Sequence, residues 1–407
     1  MPDYLENWMS LVQYWRWSRL QNLCPGFFIV MKRPGIINRF QSLEISMLNS
    51  DLVFDLAGRQ LRRLVEDHPD SFPMVTENGL WRIGGESWTN WCEGFLGGQL
   101  WLMYQHTGAA YWREKAEHYS RLIEPRKNDR NVHDLGFLFW PTYKRWFDLT
   151  GDLALKAVIV QDGQTMGSRF QEKGQYLHSF LAQDSLFIDI MMNVGIVFYA
   201  AQQTGDQELE HKAMQPCLTT RRTLVRGDGS TAHEGIFDLN SEEFLHQSTQ
   251  QGWKNDSSWA RGLSWALYGF GSVYSLTGDV RFLDTAEACT RFYIERTPPH
   301  GVPPNDWDEP DPPCAFESSA AAIAASGMLN LANLCKDGGR ARLYRDYAIQ
   351  ILEILTTPEF LAYQSPEWEG ILKHGIYHQT KRLGVDESVM WGEYFFLEAV
   401  SKVAHSG

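Results

Sequence analysis

One device recurs along this 407-residue chain and limits what it can fold into. Thr107-Gly108, Thr150-Gly151-Asp152, Thr204-Gly205-Asp206, Thr277-Gly278-Asp279 and, more weakly, Asp337-Gly338-Gly339 punctuate it, with glycines 43, 54, 73 and 60 residues apart. Spacing of this order marks an array of one supersecondary unit. A glycine just past a helix end takes the left-handed conformation that closes the helix. The aspartate after it caps the next helix through a side-chain oxygen. Each Gly-Asp therefore predicts a tight turn between two antiparallel helices.

The flanks differ consistently. After the turns come amphipathic segments, with Phe282, Ala286, Cys289 and Tyr293 at helical spacing and Ala341, Tyr344, Ala348, Ile351 and Leu355 likewise. Before the turns come segments apolar on most faces and rich in small residues, such as Ile190 to Ala201 and Ser318 to Leu334. A helix apolar all round is a buried helix. The order is thus inner helix, turn, outer helix. An outer helix from Asp51 to Asp67, carrying Val53, Leu56, Ala57, Leu61, Leu64 and Val65, and an inner helix from Ser388 toward Val403 complete six pairs. The expected fold is all-α, an (α/α)6 barrel of six helical hairpins, with no strand-rich segment in the series. Thr297 to Cys314 holds seven of the seventeen prolines and reads as a long ordered loop at the ring's mouth. The expected division is an N-terminal extension at 1–45, of uncertain structure, and a single catalytic domain at 46–407.

In such a ring all inner helices run the same way, so the segments leading into them meet at one rim. Those segments carry Trp91 and Glu93, His133 and Asp134, Asp189, Trp259 and Arg261, Glu317, and Glu387, Trp391 and Glu393. Any one of these acids could be a helix cap, since carboxylates favour helix starts. Six together, interleaved with tryptophan and glycine, favour a polar, aromatic mouth. Asp189 stands out because Leu186, Phe187, Ile188, Ile190, Met191 and Met192 surround it. Desolvation there raises a carboxyl pKa toward the range useful for proton transfer. His133-Asp134 ranks next, and His233 is a lone histidine in an inter-helix loop. Each could also be a buried, hydrogen-bonded structural group.

Composition narrows the partners. A net charge of −13 and no basic stripe argue against nucleic acid. Sixteen tryptophans and sixteen tyrosines suit either a large core or the walls of a sugar cleft. Cys24, Cys92, Cys217, Cys289, Cys314 and Cys335 form no CxxC pair, so reduced thiols are expected, with no zinc site and no disulfide framework. Phe27 to Met31 is too short for a signal peptide, and no stretch is long enough to span a membrane. A cytoplasmic monomer or weak homo-oligomer, without metal or cofactor, is the expectation. Gly94, Gly97 and Gly98 form no dinucleotide fingerprint and suit close helix packing instead.

From about Asp51 to Ala399 the chain resembles the unsaturated glucuronyl hydrolases of glycoside hydrolase family 88. The resemblance rests on His-Asp-x-Gly-Phe at 133–137, Ile188-Asp189 followed by Asn193, Leu224 to Asp228, Gln251-Gly252 and Trp259-x-Arg261-Gly262. Trp265, Tyr268-Gly269-Phe270, Trp307-Asp308, Ser318-Ser319 and Trp391-Gly392-Glu393-Tyr394 complete it. It implies the same (α/α)6 barrel and an unusual hydrolysis. The family hydrates the carbon-4 to carbon-5 double bond of the uronic acid that polysaccharide lyases leave at a non-reducing end. It further implies that Asp189 is the general acid/base, that Asp134 is the second essential aspartate, and that Trp91, His233, Gln251, Arg261 and Trp265 line the unsaturated sugar's subsite. His133, Phe180, Gln250 and Trp259 complete the expected substrate-binding set. Arg261 and His233 are expected to offset the substrate carboxylate.

The chain departs from the family in places. Gln250 stands where the family often has histidine, which predicts weaker charge recognition. Some members carry tryptophan at the position of Phe180. The Ser/Lys pattern associated with sulfated substrates is absent from His378 to Leu383. Three other readings stay open on the residues alone: an unsaturated rhamnogalacturonyl hydrolase, an inverting glycosidase with two separated carboxylates, and a non-catalytic sugar-binding protein.

Overall fold

The Thr-Gly turns form as their chemistry dictates. Thr107, Thr150, Thr204 and Thr277 donate their hydroxyls to the carbonyls of Met103, Trp146, Ala200 and Val273, at 2.7, 2.9, 2.8 and 2.8 Å. Gly108, Gly151, Gly205 and Gly278 then reverse the chain with φ between 66 and 70°. Asp152, Asp206 and Asp279 accept from the backbone N–H groups of Ala154, Leu209 and Arg281 and start the next helix. The fifth turn differs. Asp337 caps through Arg340, but Gly338 is already helical and the left-handed closure is missing.

The computed structural model of the chain describes residues 48–84 and 89–405. The expected extension at 1–45 lies outside the described residues. The outer helices are α1 Ser50–Asp67, α3 Ala110–Ile123, α6 Leu153–Gly167, α9 Gln207–Thr223, α11 Val280–Arg296 and α13 Gly338–Leu355. The inner ones are α2 Glu93–Thr107, the split pair α4 Leu135–Phe139 and α5 Arg145–Thr150, the split pair α7 Ile190–Asn193 and α8 Gly195–Thr204, α10 Ala260–Thr277, α12 Ser318–Leu334 and α14 Met390–Ala404. A π-helical turn at Trp140–Lys144, with Pro141 in its first turn, divides α4 from α5. Each inner helix packs on the next, and α14 returns to α2, so the ring closes as an (α/α)6 barrel.

Burial follows the expected two classes. Every residue of α12 from Ser318 to Leu329 is buried. On α11, Phe282, Ala286, Cys289 and Tyr293 form the buried stripe. Gly94 lets α2 approach α4 closely, since a Cβ there would collide with the carbonyl of Phe137. Among the described residues no helix is long and apolar enough to cross a membrane.

The structure adds strands that the sequence reading did not expect. Short hairpins pair β1 (Thr76–Glu77) with β2 (Leu80–Trp81) and β3 (Phe170–Gln171) with β4 (Tyr176–Leu177), an antiparallel sheet joins β5 (Ser185–Phe187), β6 (Glu234–Phe237) and β7 (Phe244–Ser248), and a hairpin joins β8 (Gly375–His378) to β9 (Leu383–Glu387). They are two to five residues long, too short for a period-2 pattern to register. They sit in the segments that enter inner helices. β5 delivers the chain to Asp189, and His233 stands at the head of β6 rather than in a plain loop. The proline-rich loop is ordered over the start of α10: Ala260 donates to the Asn305 carbonyl at 2.9 Å and Trp307 to that of Ser258 at 3.2 Å.

Candidate active site

The rim acids divide by what their oxygens do. Glu93 pairs with Arg126 at 2.6 Å. Glu317 caps α12 through Ser319 and Ala320 and accepts from the N–H of Ile376. Glu387 accepts from Thr76, Asn78 and Gly79, and Glu393 from the N–H groups of Ile371 and Leu372. These four hold loops and helix starts. Asp134 and Asp189 also occupy N-cap positions, at α4 and α7, but neither side chain caps its helix. Asp189 is partly exposed, while its Oδ1 is buried with no hydrogen-bond partner among the described residues.

Asn193 joins the two aspartates. Its amide nitrogen donates to the Asp189 carbonyl at 3.0 Å and to Asp134 Oδ1 at 3.5 Å, and its oxygen accepts from the N–H of Phe137 at 2.8 Å. Gly136 permits this contact, because a Cβ would overlap the backbone of Asn193. Burial pushes Asp189 up to about 7, against the pull of the Arg261 guanidinium. Burial, and then the charge of Asp189, hold Asp134 well above the usual carboxylate range. The charge of Asp189 thus reaches Asp134, and the two carboxyls titrate as a coupled pair.

An arc of rings surrounds them. Phe180 stacks on His133 (centroids 5.6 Å apart), His133 meets Phe187 at 5.4 Å, Phe187 meets His233 at 4.7 Å and His233 meets Trp259 at 4.5 Å. The Arg261 guanidinium continues it, 4.3 Å from the ring of Trp259 and 5.1 Å from that of Trp391. Trp91 lies 4.7 Å from Trp391 and 5.5 Å from Phe137, which lies 4.9 Å from Trp265. The expected residues are therefore brought together, at different depths. Trp91 and Phe180 keep partial exposure, whereas Trp259 and Trp265 are buried beneath the arc.

Both histidines are neutral donors. The Phe180 N–H donates to His133 Nδ1 at 3.0 Å and the Gln250 N–H to His233 Nδ1 at 3.2 Å. An occupied Nδ1 acceptor leaves the proton of each neutral ring on Nε2. Both Nε2 atoms are buried without a hydrogen-bond partner among the described residues, His133 Nε2 lying 3.3 Å from Asp134 Oδ1 but misaligned. Burial, helped by Arg261, drives His233 down to about 3, and burial with the charge of Arg169 drives His133 well below its ordinary value. In this state His233 carries an N–H on Nε2 rather than the positive charge expected of it. Arg261 is also more committed than expected. Its terminal nitrogens donate to the carbonyls of Ile376 and Tyr377 and to Gln251 Oε1. Gln250 turns its side chain away, donating to the buried Glu234 at 2.9 Å.

Sequence reasoning missed Arg169, Phe187 and Glu234. Arg169 is buried and donates to the carbonyls of Arg130, His178 and Ser179 and to His178 Nδ1. It thereby fixes the loop whose Phe180 N–H orients His133. Its sequence context, Ser-Arg-Phe after an outer helix, carries no motif. Phe187 could have been read from its place beside Asp189.

The chain is similar to proteins of known activity over most of its length. The family model for Glycosyl Hydrolase Family 88 matches residues 64–298. An unsaturated glucuronyl hydrolase from Formosa agariphila is 31% identical over 322 residues, 77% of this chain and 80% of that protein. An unsaturated chondroitin disaccharide hydrolase from Streptococcus pneumoniae is 29% identical over 374 residues, 88% of this chain and 93% of that protein. The crystal structure of an unsaturated glucuronyl hydrolase from Bacillus sp. GL1, responsible for the degradation of glycosaminoglycan, superimposes with a TM-score of 0.82 at 27% identity, covering 88% of this chain and 97% of that one.

Proposed function

The chain belongs to glycosyl hydrolase family 88 and is a glycoside hydrolase, and from that premise we propose that Asp189 is the acid/base with which it releases the unsaturated uronic acid from the non-reducing end of lyase-generated oligosaccharides. One observation carries the assignment: among the rim acids, Asp189 alone has a buried oxygen with no hydrogen-bond partner among the described residues, and it sits beside a second raised carboxyl.

The reaction needs one such group. Protonated Asp189 gives its proton to carbon 4 of the double bond. Positive charge develops at carbon 5, stabilised by the ring oxygen. The carboxylate left behind takes a proton from water as the water oxygen bonds to carbon 5, so Asp189 ends as it began. The resulting hemiketal opens the ring and expels the reducing saccharide as an alcohol. Asp134 holds substrate and orients Asp189 through Asn193. The Nε2–H groups of His133 and His233 donate to substrate oxygens, His233 toward the carboxylate. Trp91 and Phe180 supply the partly exposed ring faces against which the sugar packs. Arg261 lends its positive field and ties Gln251 to β8.

Residues 46–407 act as one catalytic domain. The enzyme works in the cytoplasm as a monomer or weak homo-oligomer, a setting that suits the free thiols of Cys92, Cys217, Cys289, Cys314 and Cys335. The deciding experiment follows the ultraviolet absorbance of an unsaturated uronide. Asp189→Asn is expected to slow its loss by at least about 10²-fold while folding and ligand binding persist. Undiminished turnover by that variant refutes the assignment.

A further inference from the structure

The loop that brings Gln251 to Arg261 continues into a second recess. Trp253, Lys254 and Asp256 are exposed and wall a cavity of about 350 Å³, together with Arg226, Asp228, Arg296 and Asp308. Arg226 follows α9, and Arg296 ends α11. Outer helices run against inner ones, so their C-terminal ends lie at the rim where the inner helices start. The recess therefore opens on the same face as the aspartates, beside the site and outside it.

Its platform is tied to a buried carboxylate. Asp306 is fully buried, and its Oδ2 accepts from the Trp253 N–H at 2.9 Å and from the Ser257 hydroxyl at 2.6 Å. The Lys254 N–H donates to Ser257 Oγ at 3.0 Å. Held this way, Trp253 remains 37% exposed, with the Lys254 ammonium 3.8 Å from its ring centroid. A tryptophan fixed in solvent beside a cavity of this size is what a binding surface requires. The lining charges balance, with Arg226, Lys254 and Arg296 against Asp228, Asp256 and Asp308. Balanced charge favours a neutral, hydroxyl-rich ligand over a free anion.

We propose that this recess is a subsite for the leaving saccharide, taking a sugar beyond the one bonded to the unsaturated uronic acid. The C–H face of that sugar stacks on Trp253, and its hydroxyls meet Asp256 and Lys254. The inference rests on the reading of the site given above, and makes the enzyme selective for chains longer than a disaccharide.

The test compares an unsaturated disaccharide with an unsaturated tetrasaccharide of the same sugars. In Trp253→Ala, the ratio of kcat/KM for tetrasaccharide over disaccharide is expected to fall about tenfold, the worth of one aromatic contact, through KM. Asp256→Ala, an exposed change, is expected to lower the same ratio by less and keeps the test open if the tryptophan variant does not fold. An unchanged ratio in the folded variants overturns the subsite while leaving the hydrolase reading intact. A wild-type enzyme that turns over neither substrate ends both.

Discussion

The side-chain amide of Asn193 reaches Asp134 Oδ1 at 3.5 Å while holding the Asp189 carbonyl at 3.0 Å. One residue thus sets the geometry between two acids on neighbouring inner helices without being ionisable itself. Asn193→Ala frees both, and a displacement near 1 Å at a reacting centre costs about 10²-fold in rate. The expected result is a fall in kcat of that order with KM changed by less than about threefold. A rise in KM at constant kcat would instead make Asn193 a substrate ligand.

The pH profile follows from the acid that must start protonated. Burial raises Asp189 to about 7. Its neutral form dominates below that pH and is lost above it, so kcat/KM is expected to decline as pH rises through about 7. The limb belongs to the coupled pair, since Asp134 is raised in part by the charge of Asp189. A profile flat from pH 5 to 9 would remove Asp189 as the acid.

His233 makes a separate prediction. With burial driving it to about 3, it stays neutral throughout the working range. KM is therefore expected to show no inflection between pH 5 and 6.5 that His233→Ala abolishes. Loss of an N–H donated to a carboxylate should still raise KM roughly 10- to 100-fold in that variant. An inflection that vanishes with the histidine would show that it binds as a cation.

The ring is legible in the sequence because its turns are local chemistry. Thr, Gly and Asp at Thr277 to Asp279 each perform a task that depends only on neighbours in the chain. The mouth is legible for a topological reason: once six hairpins are counted, Asp134 and Asp189 must meet. What the residues alone hide is competition for partners. Glu393 and Asp189 look alike in sequence, yet Glu393 Oε1 accepts from two backbone N–H groups and Asp189 Oδ1 accepts from none among the described residues. Arg169 hides for the same reason, because its acceptors are carbonyls of residues 130, 178 and 179 that no pattern links. The strands at the rim are set by tertiary pairing across Leu186 and Gly235 rather than by any alternation of their own.

Asp162 extends the argument from activity to stability. It lies on the outer helix α6, fully buried, and neither carboxyl oxygen has a hydrogen-bond partner among the described residues. Burial holds it well above the usual carboxylate range. An acid raised in the fold binds its proton more tightly there than in the unfolded chain. Its contribution is therefore fully present below the unfolded value near 3.8 and is lost as pH rises toward the folded value. Wild-type stability should decline from pH 5 to pH 8, with Glu393, raised to about 8, adding in the same direction. Asp162→Asn removes the ionisation but introduces amide donors that also lack partners, a cost independent of pH. The Tm of the variant minus that of the wild type is expected to become more positive by at least about 2 °C between pH 5 and pH 8. Parallel Tm curves for the two proteins would mean that Asp162 titrates in the fold as it does in the unfolded chain, through a partner or water that reaches it in solution, and that the pH dependence arises at Glu393 and the paired aspartates alone.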